Sequence, residues 1–199
     1  MKVYIIRHGE TEYNTQRRYQ GISDIPLSEH GLNMLCRADF TPERVYVSPL
    51  IRARQTAAVL FPDAEQIPIS ELQEMDFGDF EGKTHDEMIN NADYIRWIES
   101  SGLAVVPGGE CKAQFVDRVA IGFQRIVDRE LAAGADTVVI VAHGGTQMAV
   151  LERFNETGWD YYSGLASYAG GWILKIDGDV WHTIRKGTIA GTVSYLREQ

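Results

Sequence analysis

Cysteine is scarce in this chain: Cys36 and Cys111 are the only two in 199 residues. Two thiols build neither a disulfide framework nor a four-ligand zinc site. They leave room for one bridge at most, and reduced thiols in a cytosolic protein are the expectation. No apolar run is long enough to span a bilayer, and no apolar leader stretch follows Met1. A cytoplasmic protein is therefore expected. Basic residues are in deficit, 19 against 28 acidic ones, for a net charge of −9. That argues against nucleic acid or an anionic membrane as a partner, and it makes any cluster of arginines a local exception. Dinucleotide, zincin and P-loop readings have no support, because G-x-G-x-x-G, H-E-x-x-H and the Walker pattern do not occur. Repeats, low-complexity tracts and a second domain boundary are missing too. One domain over residues 1–199 is expected, and the length is ample for a real core.

What is present centres on two short apolar runs that end alike. Val3 to Ile6 leads into Arg7-His8-Gly9-Glu10-Thr11, and Val138 to Ala142 leads into His143-Gly144-Gly145-Thr146. Both read apolar-apolar-X-His-Gly-X-Thr. Near-continuous apolar runs of this length fit strands covered on both faces. Ligands bind at the carboxyl ends of such strands in open α/β sheets, so His8 and His143 are candidates for one pocket, with Arg7 beside them.

Strands alternating with helices predict an α/β fold. The expected form is a three-layer α/β/α sandwich with a mostly parallel sheet. Thr11 to Gly21 reads as a loop over the pocket, carrying Asn14, Gln20, Arg17 and Arg18. Ser28 caps a helix running to about Arg37. Glu43 to Val47 is a strand, followed by a helix with Ser48 as N-cap and Pro49 at its first position. Arg52 in that first turn is the candidate ligand residue, and Arg54 is read as structural because residues two apart diverge on a helix. Ile67 to Ile69 is a weak strand. A helix is expected from Thr84 to Ser100, burying Met88, Ile95, Trp97 and Ile98. A longer amphipathic helix runs from Glu110 to Ala133, and another from Thr146 to Phe154. Trp172–Ile176 and Val180–Ile184 flank Asp177-Gly178 as an antiparallel hairpin at the sheet edge. Residues 75–110 are expected to form a cap over the pocket. His30, His85 and His182 are read as structural or exposed.

Four separated motifs carry a family resemblance. These are Arg7-His8-Gly9-Glu10-Thr11 with Asn14 and Gln20-Gly21; Ser48-Pro49-Leu50-X-Arg52-Ala53-X-X-Thr56-Ala57; Leu72-X-Glu74-X-X-X-Gly78-X-Phe80-Glu81-Gly82; and Ala142-His143-Gly144-Gly145. Together, and in this order, they resemble the histidine phosphatase superfamily, which includes the cofactor-dependent phosphoglycerate mutases. The resemblance implies His8 as nucleophile and Arg7, Arg52 and His143 as the rest of a phosphate pocket. It implies Glu74 as proton donor, and Asn14, Gln20, Gly21 and Gly144 as further phosphate or substrate contacts. It implies no metal and no cofactor.

Independent chemistry supports those roles. Phosphoryl transfer needs an in-line nucleophile, positive charge on the equatorial oxygens and a proton for the leaving oxygen. Neutral imidazole can form a covalent phosphohistidine, and arginine forks match phosphate oxygens. The loop Met75 to Gly82 resembles the phosphatase branch, with Phe80 where that branch usually has Trp. Cys111 stands where the family usually has Ser. The short distance from the hairpin to Gln199 also favours hydrolysis over a mutase, which shields its phosphoenzyme with a tail. Within that branch the chain resembles the small bacterial α-ribazole phosphatases. Trp159, Tyr161 and Tyr162 would then stack on a flat ring or lie in the core; both readings stand at this point. A small-molecule phosphate ester is the expected substrate. A phosphoglycerate mutase is one alternative, and a non-catalytic phospho-ligand binder on the same fold is another.

Overall fold

The computed structural model describes residues 1–197; Glu198 and Gln199, included in the expected domain range, lie outside the described residues. Six strands form one sheet: β1 (Lys2–Arg7), β2 (Arg44–Val47), β3 (Glu65–Pro68), β4 (Thr137–Ala142), β5 (Gly170–Lys175) and β6 (Thr188–Ser194), ordered β3-β2-β4-β1-β5-β6. β3, β2, β4 and β1 run parallel, and β5 and β6 add an antiparallel edge. The pleat sorts the apolar residues to two faces. Val3, Ile5, Tyr46 and Ile140 pack with Phe115, Val119, Phe123 and Ile126 of α6 (Lys112–Ala132) and with Val150 and Phe154 of α7 (Gly144–Phe154). Ile6, Val45, Val47, Val139 and Val141 pack on the other face against Ala53, Ala57 and Leu60 of α3 (Ile51–Leu60). This is the expected three-layer arrangement. β4 is buried along both faces except at Thr137, which is why it reads as an unbroken apolar run.

Several boundaries and one element differ from expectation. The antiparallel edge exists, but its second strand is β6 rather than Val180–Ile184. Asp-Gly also signals a helix start, and here Asp177 Oδ1 accepts from the amides of Asp179 and Val180 at 3.0 and 3.2 Å. Gly178 to Ile184 is therefore a helix, α8, which buries Trp181 against Phe123 and Phe154. The expected helix over 84–100 is two pieces, His85–Met88 and Ala92–Glu99 (α4 and α5). Asn91 restarts it by accepting from Asp93 and Tyr94. The restart rotates the buried face, so Tyr94 is buried with Met88, whereas Ile95 and Ile98 are exposed. The helix capped by Ser28 ends at Met34, because Cys36 then pairs its amide with the Tyr195 carbonyl. The first loop contains a single turn, Glu12–Thr15, capped by Thr11.

Candidate active site

Register builds the centre of the site. β1 and β4 pair with Ile5 opposite Ile140, Ile6 opposite Val141 and Arg7 opposite Ala142. The two matching motifs thus lie side by side, and both histidines leave the carboxyl end of the sheet together. Their rings are 5.3 Å apart, centroid to centroid, in an edge arrangement. Both are buried, His143 completely.

Each ring has one nitrogen committed. His8 Nδ1 lies 2.6 Å from the Gly9 carbonyl, which can only accept, so Nδ1 carries the proton and Nε2 keeps its lone pair. The Gly9 amide is held by Thr56 Oγ1 at 2.9 Å, and that hydroxyl donates to the Arg52 carbonyl. His143 Nε2 is 2.7 Å from Ser48 Oγ, while its Nδ1 is buried without a protein partner. Burial, then the charges of Arg52 and Arg7, holds the His8 pKa well below the usual histidine value. Burial and the same arginines do likewise for His143, with His8 adding to the effect. Both imidazoles are neutral at neutral pH, His143 included, although an imidazolium would also have been a competent donor.

The arginines bracket the pair. Arg52, fully buried in the first turn of α3, donates to the carbonyls of Ser23 and Gly21 at 2.8 and 2.7 Å. Arg7 donates to the Ala166 carbonyl at 3.0 Å and stacks over the Tyr168 ring at 4.2 Å. Desolvation lowers both pKa values, that of Arg52 to about 10, so both remain cationic at neutral pH. The Nε of Arg7, the Nε of Arg52, the Nε2 of Gln20 and the Nδ1 of His143 are all buried without a partner in the protein. Orphaned buried donors are rare because each costs roughly 1–3 kcal/mol. The two arginine Nε–H groups, on side chains that bear on both histidines, and the unpartnered ring nitrogen of His143 fit a multiply charged oxyanion.

Glu74 approaches from the acid loop. Its Oε2 accepts from the Gly145 amide in the first turn of α7, and its Oε1 from its neighbour Met75, both at 3.0 Å. Gly145 is required for this approach: a Cβ there would lie 2.1 Å from Glu74 Oε1. Burial raises the Glu74 pKa above the ordinary carboxyl value, against the lowering effect of those amides and of Arg52 and Arg7.

The remaining expected residues take different positions. Gly21 spends its amide on Glu81 and its carbonyl on Arg52, and a Cβ there would lie 1.9 Å from the Met75 carbonyl oxygen. Its place in the structure joins the first loop to the acid loop. Asn14 Oδ1 accepts the Thr11 amide and so closes a cap. Gly144 opens α7 beside Arg7, where a Cβ would come within 3.5 Å of Arg7 Nε. Ser48 does not cap α3; Leu50 holds the cap position, and the Ser48 hydroxyl is turned to His143 instead. Arg54 is exposed. Arg18 pairs with Glu87, and His85 Nδ1 meets the Tyr94 hydroxyl at 2.8 Å.

Sequence reasoning missed three supports. Arg118 of α6 donates to the carbonyls of Glu71, Gln73 and Glu74 and pairs with Glu110, which in turn accepts the Asp76 amide. That ion pair holds the backbone on both sides of Glu74. Glu81 gathers the amides of Gly21, Ile22 and Phe77. Tyr168 supports Arg7. Arg118 and Tyr168 lie in segments where nothing but apolar periodicity or aromatic content is legible. Glu81 lay inside a recognised motif, and only its role was illegible.

One residue beyond Glu74 opens a cavity of about 440 Å³, lined among others by Met75, Phe77, Trp97, Tyr161 and Tyr162, to which Arg7, His8, Arg52, Glu74 and His143 contribute no wall. Of the aromatics in question, Tyr161 and Tyr162 belong to this wall, and Trp159 packs against Trp172 instead. Among the described residues, no three His, Cys, Asp or Glu side chains are grouped to hold a metal ion, and no helix is long and apolar enough to cross a membrane.

A fold and site of this form define a class. The model of the histidine phosphatase superfamily (branch 1) matches residues 3–187, and the chain belongs to that superfamily. It is thereby an enzyme of the histidine phosphatase class. Among its relatives is the adenosylcobalamin/alpha-ribazole phosphatase of Salmonella typhimurium, 32% identical over 165 residues, with 77% of this chain and 79% of that protein covered. A 2,3-bisphosphoglycerate-dependent phosphoglycerate mutase of Bifidobacterium longum is 27% identical, with 77% of each chain covered. The crystal structure of the alpha-ribazole phosphatase from Shigella flexneri shares the fold, with a TM-score of 0.83 at 24% identity over 100% of this chain and 99% of that one.

Proposed function

We propose that the protein hydrolyses a small-molecule phosphate monoester through a phosphohistidine on His8. The observation that carries this is the buried, unpartnered Nε–H of Arg7 and of Arg52 and the unpartnered Nδ1 of His143, beside a neutral imidazole whose Nδ1 is already committed. His8 Nε2 attacks phosphorus as the ester P–O bond breaks. Arg7, Arg52, Gln20 and the Nδ1–H of His143 take the equatorial oxygens. Glu74 gives its proton to the leaving oxygen, then as carboxylate takes one from the water that attacks the phosphohistidine. The N–P bond breaks, and inorganic phosphate leaves. Two guanidinium charges supply what a metal would otherwise contribute, so the proposed reaction uses no metal or cofactor. A protonatable Glu74 favours the enzyme over a simple phospho-ligand binder, which would have no use for it.

The cavity next to Met75 supports a leaving alcohol that carries a flat ring, as in the α-ribazole phosphate that the name of the Salmonella relative implies. Residues 75–110 act as the cap that closes this cavity. The two free thiols and the acidic surface support a cytoplasmic protein whose partner is a small molecule, not nucleic acid or membrane. The test is phosphate release from ribazole, nucleotide, sugar and glycerate phosphates with EDTA present. Ribazole phosphate is expected to give the largest kcat/KM, undiminished by the chelator. Activity that EDTA abolishes and Mg²⁺ or Zn²⁺ restores, or efficient conversion of 3-phosphoglycerate to 2-phosphoglycerate, would overturn the reading.

A further inference from the structure

The Ser48 hydroxyl has one proton and, among the described residues, one acceptor. Its oxygen accepts the Leu50 amide at 3.4 Å, and its remaining neighbour within hydrogen-bond distance is His143 Nε2 at 2.7 Å. The Ser48 amide is separately anchored to the Val141 carbonyl at 3.0 Å, and the residue is completely buried. If His143 Nε2 carried a proton, two hydrogens would face one contact and the serine proton would have no acceptor. If Ser48 donates, every group is satisfied, and neutral His143 must carry its proton on Nδ1. That is the nitrogen left unpartnered in the site.

We propose that Ser48 is a positioning residue that locks His143 as the Nδ1–H tautomer. His143 then acts as a hydrogen-bond donor to the transferred phosphoryl group and presents no lone pair to the site with which to compete as nucleophile. The two histidines carry the same tautomer and play opposite parts. His8 turns its protonated nitrogen to Gly9 and its lone pair to phosphorus; His143 turns its lone pair to Ser48 and its protonated nitrogen to the site. The phosphoryl part of this assignment rests on the phosphatase reading, whereas the tautomer itself does not.

The test separates the two. Long-range proton–nitrogen correlation spectra of the full chain, labelled with ¹⁵N-histidine, report which nitrogen is protonated without any turnover. At neutral pH the native protein should show His143 protonated on Nδ1, and titration with inorganic phosphate should shift that resonance. Ser48→Ala should let the Nε2–H form appear and should slow the phosphoenzyme burst with p-nitrophenyl phosphate by about tenfold. That is less than the 10²–10³-fold typical of deleting an oxyanion donor outright, because part of the population keeps the competent tautomer. A native His143 protonated on Nε2 overturns the lock even if Ser48→Ala fails to fold. So does a folded Ser48→Ala protein whose tautomer and burst rate are both unchanged. A locked tautomer in a protein that releases no phosphate would sink the phosphatase reading instead.

Discussion

Gly145→Ala isolates the proton donor from the phosphate pocket. A Cβ at residue 145 would lie 2.1 Å from Glu74 Oε1 and 2.9 Å from Phe115 Cζ, and ordinary contact begins at 3.4 Å. Phe115, buried in the core, must give by about 0.5 Å, an overpacking that costs about 1–3 kcal/mol, and the carboxylate must retreat by about 1.3 Å. Its 3.0 Å contact with the Gly145 amide then lengthens beyond hydrogen-bond range. The unpaired amide costs about 1–3 kcal/mol, and alanine returns about 1 kcal/mol of helix propensity. The variant should therefore fold. A displacement near 1 Å can cost about 10²-fold in rate, within the 10²–10⁴-fold worth of general acid catalysis.

The loss should depend on the leaving group. An alkyl phosphate expels a basic alkoxide and needs the proton, whereas p-nitrophenyl phosphate expels a stable phenolate. Quenched-flow bursts should show the alkyl ester slowed about 10²-fold and the aryl ester by less than about fivefold. Glu74→Gln should give the same split. Arg7→Ala is the counterpart: it removes a guanidinium whose charge bears on both histidines, so it perturbs the phosphate pocket and should slow both esters. Equal slowing of the two esters by Gly145→Ala, or an unimpaired alkyl burst, would refute Glu74 as the acid and turn attention to Glu71, Asp76 or Glu81.

Two further outcomes follow from the same geometry. Phosphate trapped by quenching under non-acidic conditions should sit on His8 Nε2 and be absent from His8→Ala; label on His143 would reverse the assignment. The profile of kcat/KM against pH for an alkyl ester should have its acid limb below 6.5, because His8 stays neutral to lower pH than an ordinary histidine, and its alkaline limb above 4.5, because Glu74 stays protonated to higher pH than an ordinary carboxyl. An acid limb at or above 6.5, or an alkaline limb that survives Glu74→Gln unchanged, would contradict that account.

The paired His-Gly strands were legible because covered parallel strands leave an unmistakable apolar run, and register then dictates that equal motifs end together. The helix dipeptides were less faithful. Asp177-Gly178 suits a hairpin and a helix cap equally, and only the burial of Trp181 against Phe123 and Phe154 decides between them. Ser48-Pro49 has the composition of a helix start, but tertiary demand for a hydroxyl at His143 outweighs the local cap. Asn91 restarts a helix in mid-pattern because its side chain captures two amides, an event that periodicity averages away. The residues around Glu110 were the least legible. Glu110 takes the Asp76 amide and pairs with Arg118, which grips the backbone carbonyls of Glu71, Gln73 and Glu74, and backbone groups leave no trace in a side-chain pattern.

The family resemblance implies His8 as nucleophile, and the structure supplies a physical reason. Arg7 and Arg52 bear on both histidines alike, so charge cannot tell the two rings apart. What distinguishes them is the partner of the committed nitrogen: a carbonyl at Gly9 that only accepts, and a hydroxyl at Ser48 with a proton to give. One physical cause then prepares every group. Removing the site from water disfavours each charge, but the groups start from different places. Histidine begins near neutrality, so burial makes it neutral and nucleophilic. Glutamate begins well below neutrality, so burial moves it toward holding the proton it must deliver. Arginine begins so high that Arg52, lowered to about 10, is still a cation. Burial alone therefore yields a neutral nucleophile, a protonatable acid and two live cations, and what these lack is the anion that would satisfy the donors left over.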